Sequence, residues 1–497
     1  MDGGLASVVF PLALGGVLWA GTGWHGMRPR GGRSGGRWVP GSSGLRGARW
    51  AQRRDLRALR ISGDSVGRLV LGVAPGLVRP AVVAAEPAQS LVVVGPTQSG
   101  KTTCLAVPAI LGWRGPVVAA SVKSDLLRDT LGACQRRGRV WCVDPTGATG
   151  LASSEWSPLV GCRDWRRAGV AALDLCEAAK TSGEGAGTMT DGDFWYATAA
   201  KLLAPLFHAA ALDGRPMTDV VRWVDTQEVA EVADILERQM DASAALDAAR
   251  ASWCRDERTR SSVYTTAETV LAPFAHAPAR GGGEAFTPER LLGGPHTLYV
   301  CAPANDQRRL RGYFTALVQE VVSAAFTAST RSGRPLDPPL LVVLDEAAHI
   351  APLPELDGLA ATCASHGVQL VTVWQDLAQV RSRYGARAAT VVNNHRAKLF
   401  LPGIADPDTL DHASRLVGDE EVTQPSVTRD RRGAQSTTTA TGLRRMLPPE
   451  SLRCLPRGRG VLVYGSLPPA RITLRPWWTS MSARRGGRVG SRRLPGT

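Results

Sequence analysis

Seven short apolar runs, most of them closed by a glycine or a polar residue, punctuate the chain between residues 91 and 403. They read LVVVG (91–95), PVVAAS (116–121), RVWCVD (139–144), HTLYVCA (296–302), LLVVLDE (340–346), QLVTVW (369–374) and AKLFLPG (397–403). Runs this short, rich in valine and bounded by turn residues, predict strands covered on both faces. Longer segments separate them, so the pattern is α/β with a mostly parallel sheet. The rhythm breaks between 150 and 295. There the periodicity changes to helical: FWYATAAKLLAPLFHAA (194–210), then 219–240, where Val220, Val221 and Val224 are followed by Val232, Ile235 and Leu236. ASAALDAARASW (242–253) and SSVYTTAETVLAPF (261–274) continue it, and Gly/Ser-rich stretches at 181–193 and 276–288 bracket the block. This predicts an all-alpha domain inserted between strands of the α/β core.

The ends differ in kind from the body. Leu5 to Trp24 pass without a charge, long enough as a helix to cross a bilayer. Ten arginines follow by residue 60, which places that side in the cytoplasm. A cleaved signal peptide is the rival reading, although Asp2 stands where a basic region belongs. The stretch 423–445 is polar and Thr-rich and reads as a loop, and VLVYGSLPPARITLRPWW after it as an edge hairpin. The resulting division is a transmembrane anchor over 1–24, a basic Gly/Arg linker over 25–60, an α/β domain over 61–180 and 289–478, the all-alpha insert over 181–288, and a disordered basic tail over 479–497.

Charge changes the picture only once it is located. The net +15 is the sum of +8 in residues 1–60 and +7 in residues 471–497, so residues 61–470 balance at zero. Basic ends suit phosphates of lipid or nucleic acid equally; the run after the apolar segment is assigned to the membrane. Nine single cysteines without a CxxC, and dispersed histidines, read as reduced thiols and no structural zinc.

Candidate chemistry begins at the first strand. Gly95-Pro96-Thr97-Gln98-Ser99-Gly100-Lys101-Thr102 is a complete G-x-x-x-x-G-K-[ST], preceded by a strand and followed by a helical run; these residues and Thr103 are the expected nucleotide-binding set. Glycines let backbone N–H groups curl around phosphate oxygens at a helix N-terminus. Lys101 is expected on the β/γ-phosphates and Thr102 on magnesium, so ATP and Mg2+ are the expected ligands. LLVVLDE supplies Asp345 as the second holder of the metal and Glu346 beside it to polarise the attacking water. An acidic helix start is the bland alternative. Gln375 ends the next strand, where it can contact a γ-phosphate. His349 reads as surface or packing, and Lys123 with Asp125 as a helix-start pair. No LSGGQ precedes Asp345, and 244 positions separate it from Lys101, which argues against a transporter cassette or a small-molecule kinase.

Together these segments resemble the TraG/TraD-type coupling ATPases of type IV secretion and conjugation. The resemblance covers roughly 85–476 and rests on GPTQSGKTTCLAVPAIL, ASVKSDLL (120–127), VDP (143–145), DFWYATAAKLLAPL, VWQDLAQVRSRYG (373–385), TVVNNHRAKLFLPG (390–403) and SRLVGDEEVT. It implies a RecA-like P-loop ATPase domain with the all-alpha insert, anchored in the inner membrane by an N-terminal transmembrane helix, its catalytic body cytoplasmic, assembled as a homo-hexamer. It implies transfer of single-stranded DNA with its relaxase, or of a protein substrate, to secretion-channel components. The family carries a paired anchor where this chain offers one apolar segment. Some members also place an arginine upstream of the sensor glutamine, where this chain has Ala364, Ser365 and His366. Arg381 and Arg383 are the candidates to act in its stead, or else solvated helix charges. An FtsK/HerA-like DNA translocase and an ATP-dependent receptor for protein export are the alternative readings.

Overall fold

The computed structural model describes residues 47–61, 67–75, 81–182, 190–275, 284–303, 305–429 and 435–479. The expected anchor, most of the linker and nearly all of the tail lie outside these. Among the described residues, no helix is long and apolar enough to cross a membrane.

All seven expected strands form. With β1 (Val70–Ala74) and β2 (Ala81–Ala84) preceding them, they are β3 (Leu91–Val94), β4 (Val117–Ser121), β5 (Val140–Val143), β6 (Thr297–Cys301), β7 (Leu340–Asp345), β8 (Val368–Trp374) and β9 (Ala397–Phe400). They pair in parallel in the order β9-β3-β8-β7-β4-β6-β5. Every residue of β3, β4, β7 and β8 is buried, which explains why they read as continuous apolar runs. Alternation along them still sorts two cores. Leu91, Val93, Val343 and Val373 face the helices Val107–Gly112 and Asp125–Arg137. Val92, Val94, Val342 and Leu344 face the opposite layer.

That second layer contains the helical segment. Among the described residues, the helices Trp165–Ser182, Thr190–Asp213, Met217–Asp225, Ala230–Glu237, Ser243–Trp253, Glu257–Ala275 and the short Pro288–Leu292 lie between β5 and β6. The periodic residues Val220, Val221, Val224, Val232, Ile235 and Leu236 are all buried. Their core runs on without a break into helix Gln307–Ser332 and the sheet.

Three features depart from the sequence reading. The hairpin β12 (Arg459–Tyr464) and β13 (Ala470–Thr473) forms, but not as an edge. It pairs antiparallel with β9 on one side and β1 on the other, so among the described residues the sheet has eleven strands and ends at β2. Buried Val461, Leu462 and Ile472 account for its interior place. Second, the Thr-rich loop is an antiparallel ribbon of β10 (Asp419–Arg429) and β11 (Gln435–Arg445), paired from Asp419↔Arg445 to Arg429↔Gln435. Threonine favours the extended chain, and the run of threonine, serine and glutamine through 423–441 offers no apolar alternation to read. Third, within the stretch read as linker, residues 47–60 pack on the body: Leu56 and Leu59 are buried, and the Ala51 N–H donates to the Pro469 carbonyl at 2.8 Å.

Where the helical segment meets helix Gln307–Ser332, two acids are half-buried. The Trp156 Nε1–H donates to Glu320 Oε2 at 2.5 Å, and Gln319 Nε2 donates to Asp174 Oδ1 at 3.3 Å. Burial pushes Glu320 up to about 7 and Asp174 up to about 6. A carboxyl whose folded pKa lies above its unfolded value favours folding when protonated, so the contribution of these two groups to stability is greatest at acid pH and is lost as pH rises through 6 and 7. Glu320→Gln keeps an acceptor for Trp156. It should raise stability at pH 8 by about 1–3 kcal/mol, with little change at pH 4.5, and flatten the slope between. Urea unfolding at the two pH values measures this.

Candidate functional site

The loop after β3 is built to turn tightly. Gln98 and Gly100 take left-handed backbone angles (φ 62° and 92°), and a Cβ on Gly95 would sit 2.8 Å from that of Leu401. The Gly95 N–H donates to the Trp374 carbonyl at 3.1 Å, which pins the loop to the end of β8. Ser99 Oγ bonds the Pro96 carbonyl at 2.8 Å, while Thr97 and Gln98 stand exposed. The following helix opens with a widened π turn, Thr102–Ala106, before the α-helix Val107–Gly112. Pro108 gives the reason: it has no N–H for the Cys104 carbonyl and its ring crowds that group.

Lys101 is buried, its ammonium donating to the carbonyls of Gly95 and Pro96, the latter at 3.0 Å. Burial lowers its pKa, and the charges of Asp345 and Glu346 oppose the shift. Thr102 Oγ1 donates to Asp345 Oδ2 at 2.8 Å, closing the distance between the loop and the end of β7. Asp345 is only 4% exposed, and its other oxygen, Oδ1, has no hydrogen-bond partner. Burial raises its pKa, partly offset by the Thr102 bond. A buried carboxylate with an unsatisfied oxygen beside a hydroxyl is a hard oxygen donor set that suits magnesium.

Ser121 belongs here too and escaped the sequence reading. It ends β4 in register with Asp345, and its Oγ lies 3.4 Å from the same Oδ2 while accepting the Lys123 N–H at 3.2 Å. The only signal was a serine closing an otherwise apolar run. The Lys123 charge acts on both Lys101 and Asp345. Asp125 instead pairs with Arg128 at 3.2 Å, as a helix-start acid does.

Glu346 is half-buried at the head of helix Ala347–Ile350, with φ 71°. Its side chain makes no capping bond, so the helix-start alternative lacks its defining contact. A non-glycine residue held left-handed marks a constrained position. Gln375 lies half-buried just past β8, its N–H donating to Gln379 Oε1 at 3.0 Å. Thr103 contacts its neighbour Cys104 rather than the acidic strand. Arg381 pairs within the chain, with Asp408 at 3.0 Å. The fold therefore joins Thr102 and Asp345 directly, holds Lys101 where the charge of Asp345 acts on it, and sets Glu346 and Gln375 at adjacent strand ends.

Comparison with known proteins fits this geometry. The family model described as Type IV secretory system Conjugative DNA transfer matches residues 50–484. A conjugal transfer protein TraG of Escherichia coli is 26% identical over 426 residues, covering 77% of this chain and 65% of that protein. TraG of Agrobacterium fabrum is 25% identical over 402 residues, 76% of this chain and 58% of its own length. The chain thus spans 65% or less of these curated relatives. Among solved structures, the bacterial conjugative coupling protein TrwBdeltaN70 in unbound form superposes with a TM-score of 0.62 at 21% identity, over 87% of this chain and 93% of that one. TrwB in complex with ADP and Mg2+ gives 0.62 at 20% identity, with the same coverage. These likenesses give the same α/β fold with its large mixed sheet. With a match spanning nearly the whole described body, the chain belongs to the family of type IV secretory system conjugative DNA-transfer proteins.

Proposed function

We propose that the chain is a coupling ATPase that hydrolyses ATP with magnesium and uses the energy to pass a relaxase–single-stranded DNA substrate to a type IV secretion channel. The observation that carries the reading is the bond between Thr102 and Asp345, which brings a phosphate loop and an acidic strand end into one site. The nucleotide bound by TrwB in its complex with ADP and Mg2+ supports the same ligands here.

In this reading Lys101 exchanges the Gly95 and Pro96 carbonyls for β- and γ-phosphate oxygens, offsetting the cost of its burial. Thr102 and Asp345 would hold the magnesium, which neutralises charge on the phosphates when bound. Glu346 takes the proton of the attacking water, and its constrained backbone limits where the carboxylate can swing. Gln375 hydrogen-bonds the terminal phosphate and registers its departure through its own backbone. Residues 5–24 anchor the chain in the inner membrane, the body faces the cytoplasm, six copies form the ring, and the helices between β5 and β6 act as its all-alpha domain.

One observation favours a second reading. Residues 61–470 carry no net charge, which suits a protein substrate better than a phosphate backbone. ATP turnover by the full-length chain, with and without single-stranded DNA, separates the two. Stimulation of about threefold or more, weakening as salt rises, is expected for the DNA pump. Turnover indifferent to DNA moves the assignment to protein export.

A further inference from the structure

Gln379 spans the two strand ends that carry Gln375 and Glu346. Its Oε1 accepts the Gln375 N–H at 3.0 Å, and its own N–H donates to Asp376 Oδ1 at 2.9 Å. This is a capping box displaced by one residue, and on its own it would only start helix Leu377–Tyr384. The side chain has a second arm, however. Because Oε1 must face the Gln375 N–H, the amide nitrogen is turned toward His349 Nε2, 3.5 Å away. His349 follows Glu346 by three positions on the one-turn helix Ala347–Ile350, and its carbonyl accepts from Arg311 Nε at 3.3 Å. Burial, with the charges of Arg311 and Arg383, keeps the His349 pKa below its usual value, so the neutral ring has a nitrogen free to accept.

Resting on the ATPase reading above, we propose that Gln379 is a positioning residue for hydrolysis, holding the Gln375 backbone at a fixed distance from the Glu346 segment through His349. Neither bond touches substrate. The role follows from what the bonds join: one amide group fixes the ends of β7 and β8 to each other at the level where an attacking water and a terminal phosphate must meet. A displacement on the order of 1 Å at such a point costs up to about 100-fold in rate.

The test is steady-state ATP turnover of the full-length chain with Gln379→Met, His349→Phe and the double variant, beside thermal melts. Gln379→Met should lower kcat by about 10–100-fold with KM for ATP within about threefold of the unsubstituted chain. His349→Phe should lower kcat in the same direction, and the double variant should be no slower than Gln379→Met. Adding Gln379→Met to Gln375→Ala should cost nothing further. A purely capping role predicts a lower Tm with kcat unchanged and no effect of His349→Phe, and that result overturns the inference, as do effects that multiply in the double variant. Lys101→Ala and Glu346→Gln run alongside. If both keep full turnover, the ATPase reading itself fails and takes this inference with it, whereas loss in those two with Gln379→Met unaffected sinks the inference alone.

Discussion

Glu346→Gln should reduce ATP turnover by about 100-fold or more while nucleotide affinity stays within a few-fold. General-base assistance contributes roughly 10²- to 10⁴-fold, and the amide keeps the shape of the side chain while losing its basicity. The fold should tolerate the change. Glu346 is half-buried and makes no capping bond that the substitution would break. Its left-handed backbone is as strained for glutamine as for glutamate, so the Tm should hold. Lys101→Ala differs in kind, because the ammonium is a binding group: affinity and turnover should fall together. Equilibrium binding of a fluorescent ATP analogue, measured beside turnover, distinguishes the two patterns. Undiminished turnover in Glu346→Gln would return that residue to the role of a helix-start acid and leave the site without its base.

Asp345→Asn should produce the opposite pairing, a protein more stable without nucleotide and incapable of using magnesium. The carboxylate is almost fully buried, and Oδ1 has no hydrogen-bond partner. Holding a charge there costs folding energy that a neutral amide does not. Asparagine retains an oxygen for the Thr102 hydroxyl, so the bond at the end of β7 survives. A gain on the order of 1–3 kcal/mol corresponds to a rise of a few degrees in Tm. Magnesium-dependent tightening of ADP binding should vanish in the same protein. A lower Tm would mean that Asp345 serves the fold through contacts its burial does not reveal.

How much of this was legible in the sequence follows from what each residue depends on. The phosphate loop is read directly because its chemistry is local: the bend at Gly95 and Gly100, the lysine and the threonine must follow one another at fixed spacing. Asp345 and Gln375 are legible through the apolar strands that deliver them. Ser121 is not, since its role comes from lying in register with Asp345 across β4 and β7, and no linear pattern encodes register between strands so far apart. Gln379 is hidden for a similar reason, its partner His349 being 30 positions away. The strands β1 and β2 go unread although LVLGVA (69–74) and AVVAA (81–85) are as apolar as the runs that were read; their place comes from pairing with each other and with β13, which no local pattern shows. The ribbon β10–β11 goes unread because its Thr-rich sequence carries no apolar alternation.

The place of β13 has a consequence for the making of the protein. Strand β1 reaches the rest of the sheet through β13, which ends only a few residues before the described chain does. The docking partner of hairpin β1–β2 follows it in the chain by 385 residues, counted between Ala84 and Ala470. At about 5–20 residues per second that is a wait of roughly 20 to 80 s. Throughout synthesis the nascent hairpin has an unpaired edge, and so does β9, which awaits β12. Both edges close only once β12 and β13 are made, when a hairpin of six and four residues is slotted between them. A ribosome stalled before residue 459 holds a nucleotide loop already complete in sequence beside a sheet still open along two strands.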